Sequence, residues 1–147
     1  MPMQSDQFAI LLPMAVGVGA VERTIFVHAL ALATTVNLFR YQKRRGQLGA
    51  HVLQNLSIVT FVMTVALAAH LAEIGLWAVL LVLCGEFREF TTAYYHSAVN
   101  YATLGYGDLL MTPAWRLLGP IEATNGALMF GVSTAMVFAV VQRVLPG

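Results

Sequence analysis

A chain of 147 residues that is 59% apolar and only 10% charged has too little interior to hide its apolar surface from water, since soluble domains carry about 25% charged residues. That excludes an ordinary soluble domain and makes lipid the natural solvent for the excess. The net charge is +1, and Arg40, Lys43, Arg44 and Arg45 supply half of the eight Lys and Arg residues, a footprint too small for phosphate backbones and therefore no nucleic-acid surface.

The first apolar stretch runs from about 8 to 39, interrupted by Glu22 and Arg23. It predicts either one long tilted helix or a short outer segment followed by a helix from about Ala20, with Glu22 and Arg23 as an interfacial ion pair. No Lys or Arg precedes Arg23, so the positive region of a secretory leader is missing and the stretch is expected to stay in the mature chain. The basic cluster that follows marks the cytoplasmic side. A second stretch, about 56 to 84, and a third, about 115 to 141, are also long enough to cross a bilayer as helices. Cys84, the only cysteine, allows neither an internal disulfide nor a cysteine metal site and reads as a packed thiol.

Between the second and third stretches lies 91–102, an aromatic-rich piece of about a dozen residues that as a helix reaches only half-way through the hydrocarbon. It is expected to enter and turn back. Glu86 and Glu89 near its start suit the positive end of its dipole. With residues 40–45 inside, the N-terminus lies outside, the short helix dips in from the outer face, and the third stretch ends near Arg143 in the cytoplasm. Only Leu145, Pro146 and Gly147 follow, so no cytoplasmic sensing domain is expected.

Thr103 to Asp108, with two glycines, cannot continue a stable helix, and non-helical backbone at membrane depth must be buried or line water. Glycine at alternate positions permits left-handed backbone angles that aim successive carbonyls at one axis, where they can replace the water shell of a cation. Thr103 adds a hydroxyl, Tyr106 braces the loop against surrounding helices, and Asp108 attracts cations at the outer mouth.

The string Thr103-Leu104-Gly105-Tyr106-Gly107-Asp108 resembles the selectivity filter of potassium channels, and 93–102 resembles their pore helix. The likeness covers roughly 56 to 142 and is similar to the two-transmembrane pore-loop unit of bacterial potassium channels, with an extra N-terminal helix. It implies a homotetramer in the inner (plasma) membrane, in contact with lipids and not an enzyme, that conducts K+ bound at Thr103, Leu104, Gly105 and Tyr106, with no organic cofactor. The expected fold is all-α, with three transmembrane helices, a re-entrant pore helix and a filter loop. Residues 1–46 form the N-terminal helix and basic loop, and 47–147 the pore domain. Leu104 stands where the family has Val and packs behind the filter, and Ala102 where many relatives have Thr. Both keep a weakly selective monovalent cation channel open as an alternative. By the same resemblance Gly126 is a candidate gating hinge.

Small residues recur at every fourth position of the third stretch, Gly119, Ala123, Ala127, Gly131, Ala135 and Ala139, and predict close packing against the second helix. Thr124, Ser133 and Thr134 are candidates to face the pore. His70 and Glu73 share a helix face. With His28, Glu122 and Asn125 at similar depth they form a candidate intramembrane network, for which a structural, a proton-sensing and a metal-binding role compete, with His70, Glu73 and Glu122 as the metal ligands. A membrane redox protein holding haem between His28, His70 or His96 is the alternative from another class.

Overall fold

The computed structural model describes residues 3–45 and 52–144. Among them are four helices and no strand: α1 (Met3–Arg44), α2 (Val52–Leu83), α3 (Phe90–Tyr101) and α4 (Leu118–Val144). Helices α1, α2 and α4 are each long and apolar enough to cross a membrane, and α3 is the short helix between the last two. This is the expected all-α arrangement. The expected boundary between 46 and 47 lies outside the described residues, as do Leu145, Pro146 and Gly147.

Helix α1 runs unbroken for 42 residues, about 63 Å at 1.5 Å per residue and about twice the hydrocarbon thickness. No separate outer segment ends near Ala20. Arg23 donates to the Gly19 carbonyl at 2.8 Å instead of pairing with Glu22. The buried positions are Pro13, Gly17, Ala20, Thr24, His28, Ala31 and Thr35, which fall in steps of four and three and form one face. Most are small, so backbones approach closely where hydrophobicity cannot drive association. A Cβ on Gly17 would meet Ile121 Cδ1 at 2.8 Å.

That face rests on α2 and α4, and α2 packs against all three other helices. Two apolar clusters form the core. One gathers Ile74, Trp77, Ala78 and Leu81 of α2 with Ala93 and Tyr101 of α3 and Met129 of α4. The other pairs Ile58, Val62 and Ala66 with Met136, Val140 and Val144. Between these clusters along α2 and α4 lies a layer of buried polar side chains, His70, Glu73 and Ser133.

Gly85 ends α2 in the left-handed region, φ 78°, and lets the amides of Cys84, Gly85 and Glu86 fold back onto the carbonyls of Leu80, Val82 and Leu81, as a helix C-terminus requires. Glu86 then turns away from α3. Its carboxylate accepts the Thr112 amide at 2.7 Å and the Thr112 hydroxyl, tying the α2–α3 connection to the loop before α4. Glu89 is the N-cap of α3 but makes no side-chain cap bond. Of the two acids expected to serve the α3 dipole, one has a different partner. At the opposite end of the bundle the Arg143 guanidinium lies 5.6 Å from the Phe39 ring centre, so the basic ends of α1 and α4 are neighbours.

Candidate functional site

Helix α3 delivers the glycine segment. Its last carbonyls are taken by the amides that follow: Ala102 donates to Ala98 (3.0 Å), Thr103 to Asn100 (2.8 Å) and Leu104 to Val99 (2.9 Å). With the Leu104 amide turned back onto α3, the Thr103 carbonyl of the same planar trans peptide points the other way. Thr103, Gly105 and Gly107 take positive φ of 58°, 57° and 72°. Alternation between left-handed and ordinary residues is the geometry that the spacing of the two glycines predicts. Thr103 is the unforeseen third member, since a β-branched residue there costs roughly 1–2 kcal/mol.

Residues 103–108 are all exposed in the isolated chain. Leu104 and Tyr106 are 54% and 65% exposed, so neither is held by helices of its own chain. Behind the loop is an open cavity of about 450 Å³, walled in part by His96, Val99, Met111 and Gly119. At the mouth, the Tyr95 hydroxyl donates to Asp108 Oδ2 at 2.8 Å, and the Leu109 amide donates to Oδ1 at 3.1 Å.

Gly126 lies where α4 crosses the end of α3. A Cβ there would overlap the Tyr101 carbonyl oxygen, so this close approach alone requires glycine at the position where the resemblance implies a hinge. Thr124 and Thr134 are exposed on α4 and return their hydroxyls to Pro120 and Phe130 of their own helix, each at 2.8 Å. Ser133, the third candidate for a pore-facing position, is instead buried.

The candidate network divides in two. His28, His70 and Glu73 meet in the polar layer, with His28 Nδ1 2.9 Å from Glu73 Oε1 and His70 Nδ1 3.5 Å from Glu73 Oε2. Two residues not foreseen join them. The Tyr101 hydroxyl donates to Glu73, and Ser133 Oγ lies 3.1 Å from His28 Nε2 and 2.9 Å from His70 Nε2. Glu122 and Asn125 lie elsewhere. The fully buried Glu122 faces Ser97 and Asn100 without a hydrogen bond of good geometry among the described residues. Asn125 donates to Thr24 Oγ1 at 2.8 Å. Glu122 is therefore not placed to share a metal ion with His70 and Glu73.

Haem does not fit these histidines. The rings of His28 and His70 lie 5.2 Å apart, tilted at 43°, and touch the same serine, leaving no slot for a macrocycle between them. His96 is occupied with Asn100 at 2.8 Å and stacks near Phe87.

Residues 58–143, which hold α3, the glycine segment and α4, match the family described as "Ion channel". No curated protein and no solved structure matches the chain.

Proposed function

The chain belongs to the ion channel family, which matches it over well more than half its length, and from that premise we propose that it conducts K+ selectively and passively as a homotetramer in the plasma membrane. The observation that carries this reading is the left-handed backbone at Thr103, Gly105 and Gly107. Alternation of that kind lets one chain aim successive carbonyls to one side, and four such rows about an axis form the rings of oxygens that replace the water of a dehydrated cation. The filter residues are Thr103 to Asp108, with K+ bound at the carbonyls of Thr103, Leu104, Gly105 and Tyr106.

Three further features support fourfold assembly. Leu104 and Tyr106 lack cover, and the cavity behind the loop is open, so a neighbouring subunit satisfies both. Ala127, Gly131, Ala135 and Ala139 are exposed on α4, where small residues let adjacent inner helices approach. The C-terminus of α3 presents the negative end of its dipole beneath the filter, which favours a cation there. The basic end shared by α1 and α4 faces the cytoplasm by the charge rule, and the filter opens outward.

Potassium flux into liposomes, blocked by barium and abolished by Gly105→Ala, is the expected result. Alanine at φ 57° loses about 1–2 kcal/mol per chain, and all four chains share the ring. A weakly selective monovalent channel is the second reading, favoured by the exposed, γ-branched Leu104. A reversal potential in mixed potassium and sodium near the potassium value supports the first reading, and one near zero supports the second.

A further inference from the structure

The polar layer between the two apolar clusters has one feature that conduction does not use: its hydrogen bonds do not close without an added positive charge. The Tyr101 hydroxyl donates to Glu73. Ser133 touches both Nε2 atoms but has one proton, so it donates to one ring and accepts from the other. With Glu73 ionised and both rings neutral, His28 donates from Nδ1 to Glu73 at 2.9 Å and accepts from Ser133 at Nε2. His70 then donates from Nε2 to Ser133. Its Nδ1 is left as a bare lone pair against Tyr101 Oη at 3.3 Å and Glu73 Oε2 at 3.5 Å, with no donor between them. Every other placement of the two ring protons also leaves at least one ring nitrogen without a donor. One cation, or one further proton, completes the layer.

We propose that this layer binds one divalent transition-metal ion of the zinc class per chain, through His28 Nδ1, His70 Nδ1 and a Glu73 carboxylate oxygen. One ligand atom from each of the three residues lies within 4.8 Å of the other two. Ligands about 2.0–2.1 Å from a tetrahedral zinc are about 3.4 Å apart; His28 Nδ1 lies 2.9 Å from Glu73 Oε1 and His70 Nδ1 3.5 Å from Oε2, so the carboxylate turns one oxygen to each ring at separations near that value. Two imidazoles and one carboxylate suit zinc, copper or nickel better than magnesium or calcium. Tyr101 Oη is the nearest candidate for a fourth ligand. In the metal-bound form both rings carry their proton on Nε2, and the two lone pairs of Ser133 Oγ accept both. That is the outer contact which turns a histidine's other nitrogen toward an ion.

His70 and Ser133 line an apolar groove of about 520 Å³ between α2 and α4. The step balances as an exchange: the ion enters, and the one proton that completes the metal-free layer leaves to water. The site does not depend on which ion is conducted. It acts on the filter through Tyr101, the last residue of α3, two residues before Thr103.

The test uses the full-length channel purified in detergent, stripped with a chelator and reloaded with Zn2+ or Co2+. Bound metal is counted by mass spectrometry, and the Co2+ form is read by visible absorption. One ion per chain, with the intense bands of a four-coordinate cobalt site, is expected. His28→Ala and His70→Ala should lose the ion, and Ser133→Ala should weaken binding about 10- to 100-fold. His96→Ala, outside the layer, should keep it. A folded wild-type protein that retains no stoichiometric metal overturns the proposal and leaves a proton as the layer's charge. So does retention by both histidine variants. Should those variants fail to fold, the wild-type stoichiometry, the cobalt spectrum and Ser133→Ala decide the matter.

Discussion

Asp108 is held by Tyr95 on one oxygen and by the Leu109 amide on the other, so its charge stands at a fixed point at the end of the glycine segment. A fixed anion raises the local cation concentration most when bulk salt screens least. Asp108→Asn, which keeps an acceptor for Tyr95, should therefore lower single-channel conductance at low potassium and leave it nearly unchanged at high potassium. Tyr95→Phe keeps the charge and removes its anchor. It should preserve conductance at low potassium while currents decay faster during sustained opening. Single-channel recording across a potassium series separates the two effects. At this scale the sequence exposed the filter string and the pair His70 and Glu73, because both are local patterns. Tyr101 and Ser133 escaped it. Tyr101 is one of several aromatics in the short piece 91–102 with nothing to single it out, and Ser133 reads as a hydroxyl for the pore. The available signal for Ser133 was its place three or four residues along the face that also carries Glu122, Gly126 and Met129, a face that turns inward.

Among the elements, α4 shows where reading by spacing succeeds and where it drifts. Its span was legible from its apolar run. The small-residue stripe was expected against α2, yet of its six members only Gly119 is buried and Ala127, Gly131, Ala135 and Ala139 are exposed. A period of four advances about 40° per step on a helix of 3.6 residues per turn, so the stripe winds from the inner face of α4 to the outer one. The buried seam follows steps of three and four instead. Gly126 lies on that seam, against the Tyr101 backbone. Gly126→Ala forces α3 and α4 apart and should cost about 1–3 kcal/mol, the usual range for overpacking. A lower melting temperature of the purified channel, accompanied by altered filter currents, is the expected outcome. A hinge role alone predicts normal melting with a changed open probability. The length of α1 was only partly legible, because Glu22 and Arg23 suggest a break that a continuous buried seam of mostly small residues on its other side overrides.

For the whole molecule, orientation can be tested with the one cysteine. Cys84 follows the last residue of α2 at the end of the bundle away from Arg143. Burial, and then the nearby Glu86 carboxylate, push its thiol above the ordinary range. The thiolate is the reactive form, so labelling should be slow near neutral pH and accelerate as pH rises. An impermeant maleimide should reach it from outside intact cells and not from inside inverted vesicles. Glu86→Gln should speed labelling at a given pH. The fold itself was legible because three long apolar runs and one short one leave few arrangements. The pairing of α1 with His70 and Glu73 was not, since it depends on which faces of three helices meet.

The contact between Gly126 and Tyr101 also has a mechanical side. From that point α4 extends about 27 Å to Val144 and about 12 Å to Leu118 at 1.5 Å per residue. A rod held so far off centre acts as an unequal lever. Sideways travel at its Val144 tip reaches the Leu118 end at less than half the amplitude and in the opposite sense. The fulcrum is the very peptide from which the glycine segment 103–108 is hung, so movement at one end of α4 and loosening of that segment become a single event.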